Sequence, residues 1–186
     1  HLFGPLGRTS LLGNTARVLC MRREFRIFER HQTSPIVAWL RTLCQDARTR
    51  YGVAGVGTIG MCLTGNFAIS LMADDAVLGG VASQPSLAIR DNDSLHMSDQ
   101  DVAVVRSAID TKGPALAYRF QGDKLCTASK FESYRNRFND DAERIRLTTL
   151  PGPGHSVLTL DFVDERGHPT RTALDEIMLY FQERLS

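Results

Sequence analysis

Cys62, Asp123 and His155 are the residues whose types could do chemistry together. A thiolate attacks a carbonyl carbon, and an imidazole beside it takes and returns the proton. A carboxylate behind the imidazole fixes its tautomer and stabilises its cation. Each of the three stands where an apolar run gives way to polar or glycine-rich residues, in "VGTIGMCLTGN", "PALAYRFQGDKL" and "RIRLTTLPGPGHSV". Their order along the chain is nucleophile, acid, histidine. The chemistry this set supports is acyl transfer: attack of Cys62 on an acyl carbonyl, a tetrahedral oxyanion, and a thioester that water hydrolyses. The N–H of Leu63, directly after the nucleophile, is the expected oxyanion donor. These steps call for no metal and no organic cofactor.

Residues so far apart in sequence meet only if the chain between them lines up their loops on one rim. "SPIVAWLRTLCQDARTRYG" predicts a helix with Ser34 as N-cap, Pro35 at the first helical position and Gly52 as its end. Its apolar stripe comprises Ile36, Leu40, Leu43, Cys44, Ala47 and Tyr51. "GVGTIGM" predicts a strand, Asn66 to Met72 a helix, and "AVLGGVASQPS" the next strand. "SDQDVAVVRSAID" has Ser98 and Asp101 in capping-box spacing ahead of Val102, Val105 and Ile109. "PALAYRF" reads as a strand buried on both faces. A helix presenting Phe131, Tyr134 and Phe138 follows, then the strand "RIRLTTL" and a last helix with Leu174, Ile177, Met178, Phe181 and Leu185 toward the core. Alternating strands and helices predict one α/β domain over residues 1–186, a parallel sheet with helices on both faces, whose ligands bind at the carboxyl ends of the strands.

The turn at Cys62 has the features of a nucleophile elbow, the strained strand-to-helix turn of α/β-hydrolases. A positive φ at the nucleophile crowds its neighbours and favours glycine two places before and two after. Gly60 meets the first requirement. Thr64 stands at the second, with Gly65 one place further on.

"GMCLTGN", "QGDKLC" and "PGPGHSV" resemble the dienelactone hydrolase family, and the resemblance extends over nearly the whole chain. It implies an α/β-hydrolase fold, carboxylic ester hydrolysis of the carboxymethylenebutenolidase type, and the triad roles for Cys62, Asp123 and His155. The family elbow usually reads G-x-C-x-G-G, so Thr64 replaces a glycine. Family members also begin with four further strands. By the same resemblance, the second oxyanion donor and a glutamate that contacts the thiol belong to that earlier part, and this chain is expected to lack those N-terminal strands. The strand ending at Cys62 is then expected to expose an apolar edge.

Arginine matches a substrate carboxylate bidentately, which makes Arg22 and Arg23, with Arg8 and Arg119, weak candidates for substrate binding. A solvated surface arginine is the more ordinary role for each. Ser156, beside His155, is a further candidate for substrate contact. Cys20, Cys44 and Cys126 read as small buried hydrophobes, and His1, His31, His96 and His168 as surface or loop residues. The polar middle of "SLAIRDNDSLHM" suggests a lid over a compact pocket.

Composition narrows the partners. At 186 residues and 42% hydrophobic, the chain can bury one sizeable core. Lys and Arg total 22 against 21 for Asp and Glu, and the resulting +1 creates no field to draw nucleic acid or an anionic membrane. The apolar runs are far shorter than a membrane span. Four cysteines without a C-x-x-C pair suggest free thiols in a reducing cytoplasm, and no metal site. The expected partner is a small ester or lactone, with the oligomeric state open. Two other classes fit the sequence: a noncatalytic or redox-sensing homologue, and a subunit completed by another chain.

Overall fold

The computed structural model describes residues 35–86 and 93–186. Helix α1 spans Pro35–Tyr51. Gly52, at φ 62°, lets the chain leave it, and the Gly52 N–H is donated to the Thr49 carbonyl. Val37 and Cys44 are buried, with Ile36 and Leu40 packed beside them. Leu43 and Tyr51, expected on the same stripe, are exposed instead. The helix rests on its neighbours through a narrower band centred on Val37 and Cys44. Ser34, the expected N-cap, lies outside the described residues.

Four strands follow: β1 at Val56–Met61, β2 at Val77–Ser83, β3 at Ala115–Phe120 and β4 at Ile145–Leu150. They pair in chain order, β1-β2-β3-β4, and every pair is parallel. The connections carry α2 (Gly65–Leu71), α3 (Asp99–Lys112) and α4 (Ala128–Phe138). Right-handed crossovers that always step in the same direction place all three helices on one face. The final helix, α5 at Pro169–Leu185, covers the other.

Side-chain alternation along the strands sorts the core into two layers. Toward α2, α3 and α4 the sheet presents Ala82, Ala115, Ala117 and Ile145, small enough for Phe67, Val105, Ile109, Tyr134 and Phe138 to settle on them. Toward α5 it presents Val81, Leu116, Tyr118, Phe120 and Leu150, which meet Ala173, Ile177 and Tyr180. Every residue of β3 is buried, as a strand covered on both faces requires. β1 has β2 as its neighbour among the described residues, and Ile59 and Met61 on it are exposed, as the expected apolar edge implies.

The Ser98 cap forms as predicted. Its Oγ accepts the Asp101 N–H at 3.1 Å, and the Ser98 N–H is donated to Asp101 Oδ2 at 3.2 Å. In α5 the expected stripe is partly wrong. Met178 and Leu185 are exposed, whereas Thr170, Ala173, Ile177 and Tyr180 are buried. Tyr180 wins its place because its hydroxyl accepts the Gly80 N–H at 3.1 Å while its ring fills the layer. The lid reading of 86–97 fails at its carboxyl end, since Leu95 and Met97 are buried in the core. Residues 87–92 lie outside the described set. Among the described residues, no helix is long and apolar enough to cross a membrane.

Candidate active site

β1 ends at Met61, and the chain turns at Cys62 with φ 52°, the left-handed conformation expected of an elbow. A Cβ on Gly60 would lie 2.1 Å from the Thr64 carbonyl oxygen, so glycine is required there. Thr64 needs no such freedom, at φ −87° and ψ −3°. Its hydroxyl accepts the Met61 N–H and donates to the Met61 carbonyl, both at 2.9 Å, so a side chain closes the turn where a second glycine was expected. Gly60→Ala is expected to destabilise the protein by roughly 1–3 kcal/mol, because the clash is with backbone and has no flexible side chain to give way. Thermal unfolding checks this, and an unchanged melting temperature would show that the turn can open freely.

Asp123 and His155 are set by two loops tied to each other. The Gln121 N–H is donated to the Leu150 carbonyl at 2.8 Å and the Gly122 N–H to the Gly152 carbonyl at 2.9 Å. A Cβ on Gly122 would come within 2.9 Å of Pro153 Cα, so the approach itself selects glycine. Asp123 is buried, and its Oδ1 accepts the N–H groups of Leu125 at 2.8 Å and Cys126 at 3.0 Å. Its Oδ2 lies 2.8 Å from His155 Nδ1. An ionised carboxylate only accepts, so Nδ1 carries the proton and Nε2 is left to face the thiol. Asp161 fixes the other side of the loop, its Oδ2 accepting the N–H groups of His155 at 2.8 Å and Ser156 at 2.7 Å. Those two bonds, with Ser156 first, hold its carboxyl below the usual carboxylate range.

The sulfur of Cys62 lies 3.1 Å from Ser86 Oγ. His155 Nε2 is buried and pairs with no group other than the thiol, on which it acts first as a hydrogen-bonding partner and then as a charge. Burial pushes the Cys62 thiol up, but His155, the Ser86 hydroxyl and the Leu63 N–H together outweigh it and hold the thiol below its ordinary value. The neighbouring Cys62 sulfur does most to raise His155, partial burial opposes it, Asp123 adds to it, and the imidazole is pushed up to about 9. Both directions favour a thiolate beside an imidazolium.

The three predicted residues are therefore brought together, and the Leu63 N–H lies at the sulfur. Ser156 stands in the turn that Asp161 closes. Arg8, Arg22 and Arg23 lie outside the described residues, as do Cys20, His1 and His31. Arg119 is neither a surface arginine nor a substrate anchor. It is buried, donating from Nε to the Cys126 carbonyl at 2.9 Å and from Nη2 to the Gln121 carbonyl at 3.0 Å, and so braces the Asp123 loop. Cys44 and Cys126 are buried as expected, and burial pushes Cys126 up to about 12. His96, read as a surface or loop residue, is buried, and the His168 Nδ1 caps α5 by accepting the Thr170 N–H. The sequence reading missed Ser86, Gln84 and Asp161. "SQPS" ends β2 on the same rim as Cys62, and that position was the available signal.

No protein-family model matches the chain, and no curated protein matches it. Among solved structures it is similar to a predicted CIB-like hydrolase from Thermoplasma acidophilum, with 17% identity and a TM-score of 0.49 over 76% of this chain and 59% of that one. It is also similar to a candidate dienelactone hydrolase from Klebsiella pneumoniae subsp. pneumoniae, with 16% identity and a TM-score of 0.49 over 67% of this chain and 50% of that one. The chain thus spans between half and three fifths of the length of each.

Proposed function

We propose that the protein hydrolyses carboxylic ester or lactone bonds through a thioester formed on Cys62. The observation that carries this reading is the alignment of a thiol at positive φ, an imidazole facing it and a buried carboxylate on Nδ1. Cys62 Sγ attacks the carbonyl carbon, and the oxyanion that forms is held by the Leu63 N–H. The leaving alkoxide takes its proton from the His155 imidazolium. Water then attacks the thioester as His155 takes its proton, and the adduct breaks its C–S bond, releasing the carboxylic acid and restoring the thiolate beside the imidazolium. Asp123 stabilises the cation at each stage where His155 carries it. Arg22, Arg23 and Ser156 are proposed substrate contacts, and the substrate is a small ester or lactone. An amine leaving group would need its proton earlier, before the thiolate is expelled, so ordinary peptides are poor substrates. Parallel assays of p-nitrophenyl acetate, a dienelactone and an unstructured protein test the reading, and turnover of the protein alone would overturn it.

The pH dependence separates the two proton roles. With Cys62 lowered and His155 raised to about 9, the resting form between the two is thiolate and imidazolium. A raised histidine keeps its proton at lower pH and loses it as pH rises through about 9. A saturated lactone, whose alkoxide needs that proton, is expected to lose turnover there. A p-nitrophenyl ester, whose leaving group needs none, is not. Matched alkaline limbs for the two substrates would refute the assignment.

A further inference from the structure

Ser86 touches Cys62 twice. Its N–H is donated to the Cys62 carbonyl at 3.1 Å, and its Oγ lies 3.1 Å from Sγ. The residue is buried, at 1% exposure, so the hydroxyl has little water to turn to. It stands at the end of a short segment that also reaches the histidine. Gln84, buried at φ 40°, uses Oε1 to accept the Val157 N–H at 3.3 Å, two residues beyond His155. Pro85 packs against Gly65, where a Cβ would lie 2.7 Å from the Pro85 ring. The stretch 84–86 therefore grips the elbow from one side and the histidine loop from the other.

A residue at positive φ has no preferred rotamer guaranteed by helix or strand, and its side chain must be aimed by its surroundings. Here the backbone contact fixes the Cys62 carbonyl, and the hydroxyl fixes the sulfur. Against a thiolate, which can only accept, the hydroxyl must be the donor.

We infer that Ser86 is a positioning residue, whose hydroxyl donates to the Cys62 thiolate and holds it facing His155. This rests on the reading of Cys62 as nucleophile. Among the described residues, the other groups acting on the sulfur are His155, with Asp123 behind it, and the Leu63 N–H, while the charge of Cys62 in turn helps to push the nearby Cys126 thiol up. Removing the hydroxyl leaves these in place and takes away one donor to the charged form.

The test is the pH dependence of iodoacetamide alkylation at Cys62, followed by mass spectrometry of its peptide in the full chain. Ser86→Ala is expected to move the midpoint upward by about one pH unit, a roughly tenfold loss of rate below the midpoint, which is the size of one hydrogen bond to a charged acceptor. Ser86→Thr, which keeps the hydroxyl, is expected to restore the wild-type midpoint. Ser86→Gly must agree with alanine and serves if the alanine variant does not fold, as judged by thermal unfolding. A folded variant without the hydroxyl and with an unshifted midpoint overturns the inference. Alkylation needs no substrate, so the two readings fail separately. A wild-type protein without ester turnover defeats the hydrolase reading, while an unshifted midpoint beside normal turnover defeats only the role of Ser86.

Discussion

Cys62→Ala is expected to lower ester turnover by roughly 10⁴-fold or more while leaving the protein folded. The nucleophile bonds covalently to the substrate, and the remaining His155 and Asp123 have nothing to activate, so the loss approaches that of removing the whole unit. A second variant gives the expectation a signature that a merely buried cysteine would not produce. Cys62 holds φ 52°, which costs a residue with a Cβ about 1–2 kcal/mol and glycine almost nothing. Glycine loses about 0.5–1 kcal/mol of this gain to its freer unfolded chain. Cys62→Gly is therefore expected to be as inactive as the alanine variant and to melt a few degrees above it, since about 1 kcal/mol moves the midpoint by 2–4 °C in a domain of this size. Thermal unfolding and a p-nitrophenyl acetate assay on the two variants measure both effects. Turnover surviving in the alanine variant would remove Cys62 from the reaction. A glycine variant melting lower would show that the turn is not strained at that residue.

Asp123→Asn is the second large effect, expected at roughly 10³–10⁴-fold in turnover, by analogy with the same change in serine hydrolases. The substitution is informative because it can keep the loop. An asparagine Oδ1 still accepts the Leu125 and Cys126 N–H groups, and the two backbone ties from Gln121 and Gly122 do not involve the side chain. What changes is the atom 2.8 Å from His155 Nδ1. An amide N–H there turns Nδ1 into an acceptor, moves the imidazole proton to Nε2 and points it at the sulfur. The ring can then neither take a proton from the thiol nor be held as a cation. The measurement is kcat on an activated ester beside the pH midpoint of Cys62 alkylation. The midpoint should rise, because the imidazolium that favours the thiolate is lost. Full turnover in this variant would mean that another acid orients His155.

The strands and the elbow were legible because both follow from local rules. A fully apolar run such as "ALAYRF" suits a strand covered on both faces, and Gly60 before Cys62 announces a turn that only a missing Cβ permits. Helix faces were less legible. Leu43, Tyr51, Met178 and Leu185 share a helical period with buried neighbours, but periodicity does not say how wide the buried band is. Tyr180 entered the core on the strength of one hydroxyl contact with a strand far away in sequence. The supporting residues of the site were illegible for the same reason. Asp161 is one carboxylate among many until the N–H groups of His155 and Ser156 converge on it. Ser86 is one serine in a loop until Cys62 Sγ comes within 3.1 Å. Arg119 misled because a cation near the predicted site suggests an anion to bind, whereas its partners are backbone carbonyls.

The helix α5 covers the sheet from the side opposite the other crossings, and it is synthesised after all four strands that it covers. Until it docks, Val81, Leu116 and Tyr118 have one face open to water, and the Tyr118 hydroxyl lacks the Glu176 carboxylate it donates to at 3.0 Å. β2 and β3, the strands that carry Ser86 and Asp123 at their ends, are thus finished from behind by residues made after all three members of the site. The nascent chain thus holds Cys62, Asp123 and His155 before it holds the helix that finishes the strands beneath them, so their alignment waits for α5 and does not come with the synthesis of His155.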